Sequence, residues 1–113
     1  AKSSVSKDGV AQSVRTLLET IQTTLYDEAL AFRQSRTHTV GSFDELKALM
    51  ADRGALGFAE GWWCGDAGCE ATIKAETQAT LRCLPLTQPE GAGACVGCGR
   101  PGSSAWAVFA KAY

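Results

Sequence analysis

A chain of 113 residues, 45% hydrophobic and 20% charged, has the size and composition of one soluble globular domain and leaves no room for a catalytic domain plus an accessory one. Eleven Lys and Arg against twelve Asp and Glu leave a formal charge of -1. That field is too weak to gather phosphates from a distance, which excludes a general nucleic-acid clamp. The apolar runs fall far short of the roughly 20 residues needed to cross a bilayer, and Ala1-Lys2-Ser3-Ser4 lacks the apolar stretch of a signal peptide. The expected location is cytoplasmic, with no membrane partner. Because initiation requires Met, Ala1 is expected to come from processing or, preferably, from excision out of a longer polypeptide.

Residues 2–6 read as a short strand or a linker. Over residues 9–35 the apolar positions Val10, Val14, Leu17, Leu18, Ile21, Leu25, Ala29 and Phe32 recur in steps of three and four, which draws one stripe along a long amphipathic helix. Ser6 and Asp8 are the expected caps before it, and Arg33 and Arg36 suit the negative pole at its far end. Thr37-His38-Thr39-Val40 is β-branched and predicts a short strand.

Ser42-Phe43-Asp44-Glu45 predicts a capping box, with the Ser42 hydroxyl on the Glu45 amide and the Glu45 carboxylate on the Ser42 amide. The helix it opens buries Leu46, Leu49 and Met50 and is expected to stop at Gly54, where a left-handed residue costs nothing. Residues 55–63 predict a strand, 70–76 a short helix, 79–86 a strand ended by prolines, and 105–113 a final strand. Helices and strands interleave without repeated βαβ spacing, so the expected fold is an α+β two-layer sandwich rather than a doubly wound sheet.

Five cysteines all lie between positions 64 and 98. An odd number fits poorly with a closed disulfide framework, and a cytosolic setting keeps thiols reduced. Cys64 and Cys69 are separated by four residues, Cys95 and Cys98 by two; two such chelating pairs make a closed tetrahedral sulfur set that suits zinc. Four thiolates also suit iron, and a metal-free dithiol at Cys95 and Cys98 is the competing reading, although Gly99-Arg100-Pro101-Gly102 continues as a turn instead of opening the helix that a thioredoxin-like motif requires. Zinc is the default, and with no position left for water its role is structural.

Residues 86–104 are rich in Gly and Pro and poor in apolar side chains, so burial alone hardly offsets about 1–2 kcal/mol per residue of backbone ordering. A four-thiolate zinc site, at an apparent 10–16 kcal/mol or so in peptides, is enough to order them. Lys74, Arg82 and Arg100 are candidate donors around the thiolates. Cys83 is left over and is expected in the core. His38, the single histidine, has no nucleophile or carboxylate pattern beside it. No carboxylate pair, phosphate loop or dinucleotide fingerprint is present, so no catalytic residue is assigned.

The run Trp63-Cys64-Gly65, Cys69-Glu70, Ile73-Lys74, Thr77, Ala79-Thr80, Arg82-Cys83, Pro85, Cys95-Val96, Cys98-Gly99 and Phe109-Ala110-Lys111-Ala112-Tyr113 resembles the C-terminal zinc-binding domain of prolyl-tRNA synthetases of the archaeal and eukaryotic type. The leading helix is similar as well, in Leu17-Leu18-Glu19, Ile21-Gln22, Leu25-Tyr26, Ala29 and Phe32-Arg33. The resemblance implies one domain over residues 1–113, cut from a class II proline-tRNA ligase. Its fold is expected to be a βαβαββ-like mixed sheet packed on two helices, similar to the C-terminal domain of translation initiation factor three.

The resemblance further implies zinc on Cys64, Cys69, Cys95 and Cys98, and a terminal carboxylate at Tyr113 that faces the catalytic domain. ATP and magnesium are implied only in that catalytic domain, whose motifs are absent here, so the chain alone is not expected to aminoacylate. The implied partners are the catalytic and anticodon-binding domains, and proline tRNA through the full enzyme, itself expected to be a homodimer. The Cys69 to Cys95 connection is short, which favours a bacterial or archaeal source.

Two other functions compete. A freestanding zinc module that binds RNA would use Lys2, Lys7, Lys47 and Arg53 as a patch and Trp62 and Trp63 as stacking platforms. A protein-docking adaptor would use exposed aromatics such as Trp106 and Phe109.

Overall fold

The computed structural model describes residues 2–112, and the chain divides into two compact units after Gln34. In the first, residues 2–6 adopt no regular structure, so the linker reading holds there. Helix α1 spans Val10–Ser35, in agreement with the stripe. Its start differs from expectation: the first helical carbonyl is that of Gly9, which accepts from the Ser13 amide at 3.0 Å with φ at +75°. Ser6 instead accepts the Asp8 amide at 3.2 Å, outside the helix. None of the α1 residues is buried.

The second unit runs β1 (Thr37–Thr39), α2 (Phe43–Ala51), β2 (Phe58–Trp63), α3 (Ala67–Thr77), β3 (Ala79–Cys83) and β4 (Ala105–Lys111), the βαβαββ order. The sheet order is β1-β2-β4-β3. β1 pairs with β2 in parallel, and β4 lies antiparallel between β2 and β3. Two helical crossovers, α2 and α3, therefore step in the same direction across the sheet. Crossovers of one hand stepping one way put both helices on the same face, and Lys47 of α2 reaches Glu76 of α3 at 3.3 Å.

That face carries the core. Leu46 and Met50 from α2, Ile73 and Cys69 from α3, and Ala59, Ala79, Ala107 and Phe109 from the sheet form one buried cluster with Val40, Cys95 and Val96. Phe109, Leu46 and Ile73 are fully enclosed; a buried side chain of this size contributes roughly 1.5–3 kcal/mol. The residues of β4 that alternate with Phe109 point to the opposite face, as its period of two requires.

Two local expectations are corrected. The Ser42 hydroxyl does accept the Glu45 amide, at 3.2 Å, but the Glu45 carboxylate accepts from Gly41 at 2.7 Å rather than from Ser42. α2 ends before Gly54, at Asp52, which is extended at φ −82° and ψ 101°; the Asp52 carboxylate then accepts the Gly54 amide at 2.8 Å and turns the chain. Cys83 is also not a core residue. It is exposed, because β3 is an edge strand whose register shifts between Leu81 and Cys83 and turns the side chain away from the helices.

Candidate metal centre

The chain brings the sulfurs together from three places. Cys64 follows the last residue of β2. Cys69 lies in the first turn of α3, which starts earlier than residue 70 because Asp66 caps it; the Asp66 carboxylate accepts the Cys69 amide at 2.8 Å. Cys95 and Cys98 flank a turn in which the Cys95 carbonyl accepts the Gly99 amide at 2.8 Å and the Cys95 amide donates to the Arg100 carbonyl at 2.9 Å. The base of this loop is closed by a reciprocal pair between Gly93 and Ser103, both bonds 2.9 Å. Gly65 at φ +78° and Gly99 at φ +72°, each directly after a cysteine, take the left-handed turns that let the sulfurs face inward.

The four ligand atoms of Cys64, Cys69, Cys95 and Cys98 all lie within 4.8 Å of one another. Cys69 and Cys95 stand 3.7 Å apart at sulfur, and so do Cys64 and Cys98. A disulfide needs about 2.05 Å, whereas bonds of about 2.3 Å from a central ion to four sulfurs give a tetrahedral edge of about 3.8 Å. Four cysteines at this spacing can hold a metal ion, and the two 3.7 Å edges fit a tetrahedral one. The inner pair is buried, Cys69 at 9% and Cys95 at 1% exposure, while Cys98 is exposed and Cys64 half-buried.

Electrostatics around the sulfurs are uneven. Burial pushes the Cys69 thiol up, and the neighbouring Cys95 sulfur adds to the rise. Burial likewise raises Cys64, against a lowering contribution from the Asp66 backbone. At Cys95 burial also raises the thiol, but the backbone amides of Cys98, Gly97 and Cys64 outweigh it and bring the group down to about 7. One of these is the Gly97 amide, which donates to the Cys95 sulfur at 3.4 Å. Without a cation, the Cys95 thiolate forms readily while Cys69 and Cys64 resist; a bound cation removes that resistance.

Sequence reasoning missed three supporting residues. Asp66 was readable as a cap from Asp66-x-x-Cys69. The wedge residues Val96 and Gly97 carry no such signal. The Val96 amide donates to the Trp62 carbonyl at 2.8 Å, joining the turn to β2, and Gly61 leaves the space that Val96 enters. The expected donors do not surround the sulfurs: the Arg82 guanidinium donates to the Ala110 carbonyl at 3.3 Å, Arg100 contributes its carbonyl instead of its guanidinium, and Lys74 lies on the exposed side of α3.

The RNA and adaptor readings each lose some of their components, although Lys2, Lys7 and Arg53 are exposed and Trp106 is half-buried. Lys47 is held by Asp44 at 3.8 Å and Glu76 at 3.3 Å and sits 4.4 Å over the Phe43 ring. Trp63 packs against the core, and its indole nitrogen is enclosed without a hydrogen-bond partner among the described residues. Trp62 meets Trp106 edge-on at 5.1 Å and 82°. Phe109 is fully buried and unavailable for docking. His38 Nε2 is enclosed with no hydrogen-bond partner among the described residues, which leaves no triad geometry. No helix among the described residues is long and apolar enough to cross a membrane. Tyr113 lies outside the described residues.

Residues 43–113 match the family model of the prolyl-tRNA synthetase C-terminal region. The chain belongs to this prolyl-tRNA synthetase C-terminal family. Its relatives agree: a proline-tRNA ligase of Chloroflexus aurantiacus is 43% identical over 112 residues, covering 99% of this chain and 22% of the relative. One of Roseiflexus sp. is 44% identical with the same coverage. One of Acetoanaerobium sticklandii is 39% identical over 113 residues, 100% of this chain and 23% of the relative. This member of the prolyl-tRNA synthetase C-terminal family thus spans about a fifth of the length of the curated relatives it matches.

Proposed function

We propose that this chain is the C-terminal structural zinc domain of a class II prolyl-tRNA synthetase, a part of a longer polypeptide, and that it supports attachment of proline to its tRNA without performing the chemistry. The convergence of four cysteine sulfurs within 4.8 Å carries the reading. Cys64, Cys69, Cys95 and Cys98 would hold the zinc. It would supply a cross-link between the end of β2, the first turn of α3 and the loop before β4, and four thiolates leave no position for a reacting water. ATP and magnesium belong to the catalytic domain of the synthetase. Tetrahedral sulfur spacing suits zinc and iron alike; zinc is preferred because a given site binds Zn²⁺ more tightly than Fe²⁺.

The βαβαββ unit is assigned to the fold of the C-terminal domain of translation initiation factor three, and residues 1–113 to one functional domain. Its partners are the catalytic and anticodon-binding domains of a cytoplasmic, homodimeric synthetase, and through them proline tRNA; Tyr113 is assigned a carboxylate that faces the catalytic domain.

The test is metal analysis of the purified chain, followed by charging assays of the full synthetase with Cys95→Ser and, as control, Cys83→Ser. One equivalent of zinc lost in Cys95→Ser, with weakened charging and heat stability, is the expected result, while Cys83→Ser keeps both because Cys83 is exposed. A folded chain with no metal and five freely titrating thiols would overturn the zinc assignment; unchanged charging after metal loss would overturn the supporting role.

A further inference from the structure

We propose that Cys64 and Cys98 are an oxidation-sensitive pair: a peroxide joins them in a disulfide and so opens the four-cysteine metal site, while Cys69 and Cys95 stay reduced. The inference rests on the reading of these four cysteines as a zinc site.

Distance does not choose the pair. Cys64 and Cys98 stand 3.7 Å apart at sulfur, and so do Cys69 and Cys95. A disulfide needs about 2.05 Å, so either pair has about 1.7 Å to close. What differs is the freedom to close it.

The inner pair is held. Cys69 lies in the first turn of α3, its amide donates to the Asp66 carboxylate at 2.8 Å, and a Cβ added at Gly97 would stand 2.5 Å from its sulfur. The Cys95 amide donates to the Arg100 carbonyl at 2.9 Å, and its sulfur accepts the Gly97 amide at 3.4 Å. Both cysteines belong to the buried core cluster of the second unit, where a shift of that size disturbs close-packed neighbours.

The outer pair has room. Each of its cysteines is followed by a glycine at positive φ, Gly65 and Gly99. A Cβ added at either meets nothing within 4 Å, so the backbone there turns without collision. Cys98 is exposed, and a cleft of about 320 Å³ lined by Trp63, Cys64, Gly65, Arg100 and Ser104 opens beside Cys64 and admits a molecule as small as hydrogen peroxide.

The Cys98 thiolate attacks one peroxide oxygen; the O–O bond breaks, Cys98 becomes a sulfenic acid, and the other oxygen leaves as hydroxide. The Cys64 thiolate then attacks the Cys98 sulfur, the S–S bond forms, and the sulfenic oxygen leaves as a second hydroxide. Two electrons pass from the two sulfurs to the peroxide, and two protons from solvent turn both hydroxides into water. Two thiolates remain, too few for a closed four-sulfur site. The new bond still joins the end of β2 to the loop before β4, and only the link to α3 is lost. Thiol exchange at this outer disulfide restores the site.

The 113-residue chain, loaded with zinc under reducing conditions and then freed of reductant, is treated with hydrogen peroxide beside a chromogenic chelator. Free thiols are blocked and disulfides mapped by mass spectrometry. The expected result is one zinc released per disulfide, peptides joined through Cys64 and Cys98, Cys69 and Cys95 blocked as free thiols, and full zinc rebinding after dithiothreitol. Cys83→Ser, which lacks the exposed fifth thiol, should give the same map and release. A bond Cys64–Cys69, Cys95–Cys98 or Cys69–Cys95 overturns the proposal, as does release with no disulfide or only through Cys83. If the chain holds zinc and peroxide neither releases it nor joins the pair, the proposal fails and the zinc reading stands. A chain that takes up no zinc overturns that reading first, and the opening of a metal site falls with it.

Discussion

Gly97 rests directly against the sulfur of Cys69: a Cβ added at Gly97 would stand 2.5 Å from Cys69 Sγ and 2.8 Å from Ile73 Cδ1. The missing side chain is what allows the turn carrying Cys95 and Cys98 to approach α3 closely enough for four sulfurs to converge. The same contact ties the candidate metal centre to the core, since Ile73 is fully buried.

Gly97→Ala should therefore cost both stability and metal affinity. Overpacking of this kind costs about 1–3 kcal/mol, to be read from urea denaturation of the metal-loaded protein, and competition with a chelating dye should show weakened binding. Gly65→Ala is the contrast: its added Cβ meets nothing within 4 Å, so only the left-handed φ of +78° opposes it, at roughly 1–2 kcal/mol. Gly65→Asn should recover much of that loss, whereas Gly97→Asn should not.

Asp66→Ala removes the cap whose carboxylate accepts the Cys69 amide at 2.8 Å. A lost cap costs about 0.5–2 kcal/mol, and because the capped residue is itself one of the four cysteines, chelator should strip the metal faster. Ser42→Ala removes the equivalent bond to Glu45, 3.2 Å long, on a helix that supplies no sulfur. It should lower stability by a similar amount with metal release unchanged. Equal release rates in the two variants would contradict the assigned role of Asp66.

The metal-free protein should show a stability maximum in mildly alkaline solution. Cys95 falls from the ordinary 9.0 to about 7 in the fold, so between those values the unfolded state holds the proton that the folded state has released, and stability rises with pH. Its contribution is complete above 9.0 and lost as pH falls through about 7. Cys69 is raised, and its contribution has the opposite sign: present below 9.0, lost as pH rises past it. Denaturation curves of metal-free protein from pH 6 to 10, with Cys95→Ser removing the rise, check both signs. Metal binding itself should weaken on acidification and release protons, since every sulfur must bind as thiolate.

The local pattern was legible where one residue type has one physical use. Steps of three and four marked α1, the Ser42 to Glu45 spacing marked the start of α2, and two glycine-bearing cysteine pairs marked the four sulfurs that the fold brings together. Cys83 could not be placed the same way, because a cysteine in a strand reads alike at an edge and in a centre, and only the order β1-β2-β4-β3 puts β3 at the edge. The aromatics were ambiguous for the same reason: Phe109 is fully enclosed and Phe58 is 38% exposed although both are strand residues.

The sequence by itself thus determined the elements and the sulfur set, because helix periodicity, capping and chelate spacing are short-range properties written in neighbouring residues. Tertiary structure alone decided which sulfurs are buried and that Gly97 is the contact point between the metal turn and α3. Those depend on which distant segments approach one another, and pairing β4 between β2 and β3 is a choice among registers that no local pattern encodes.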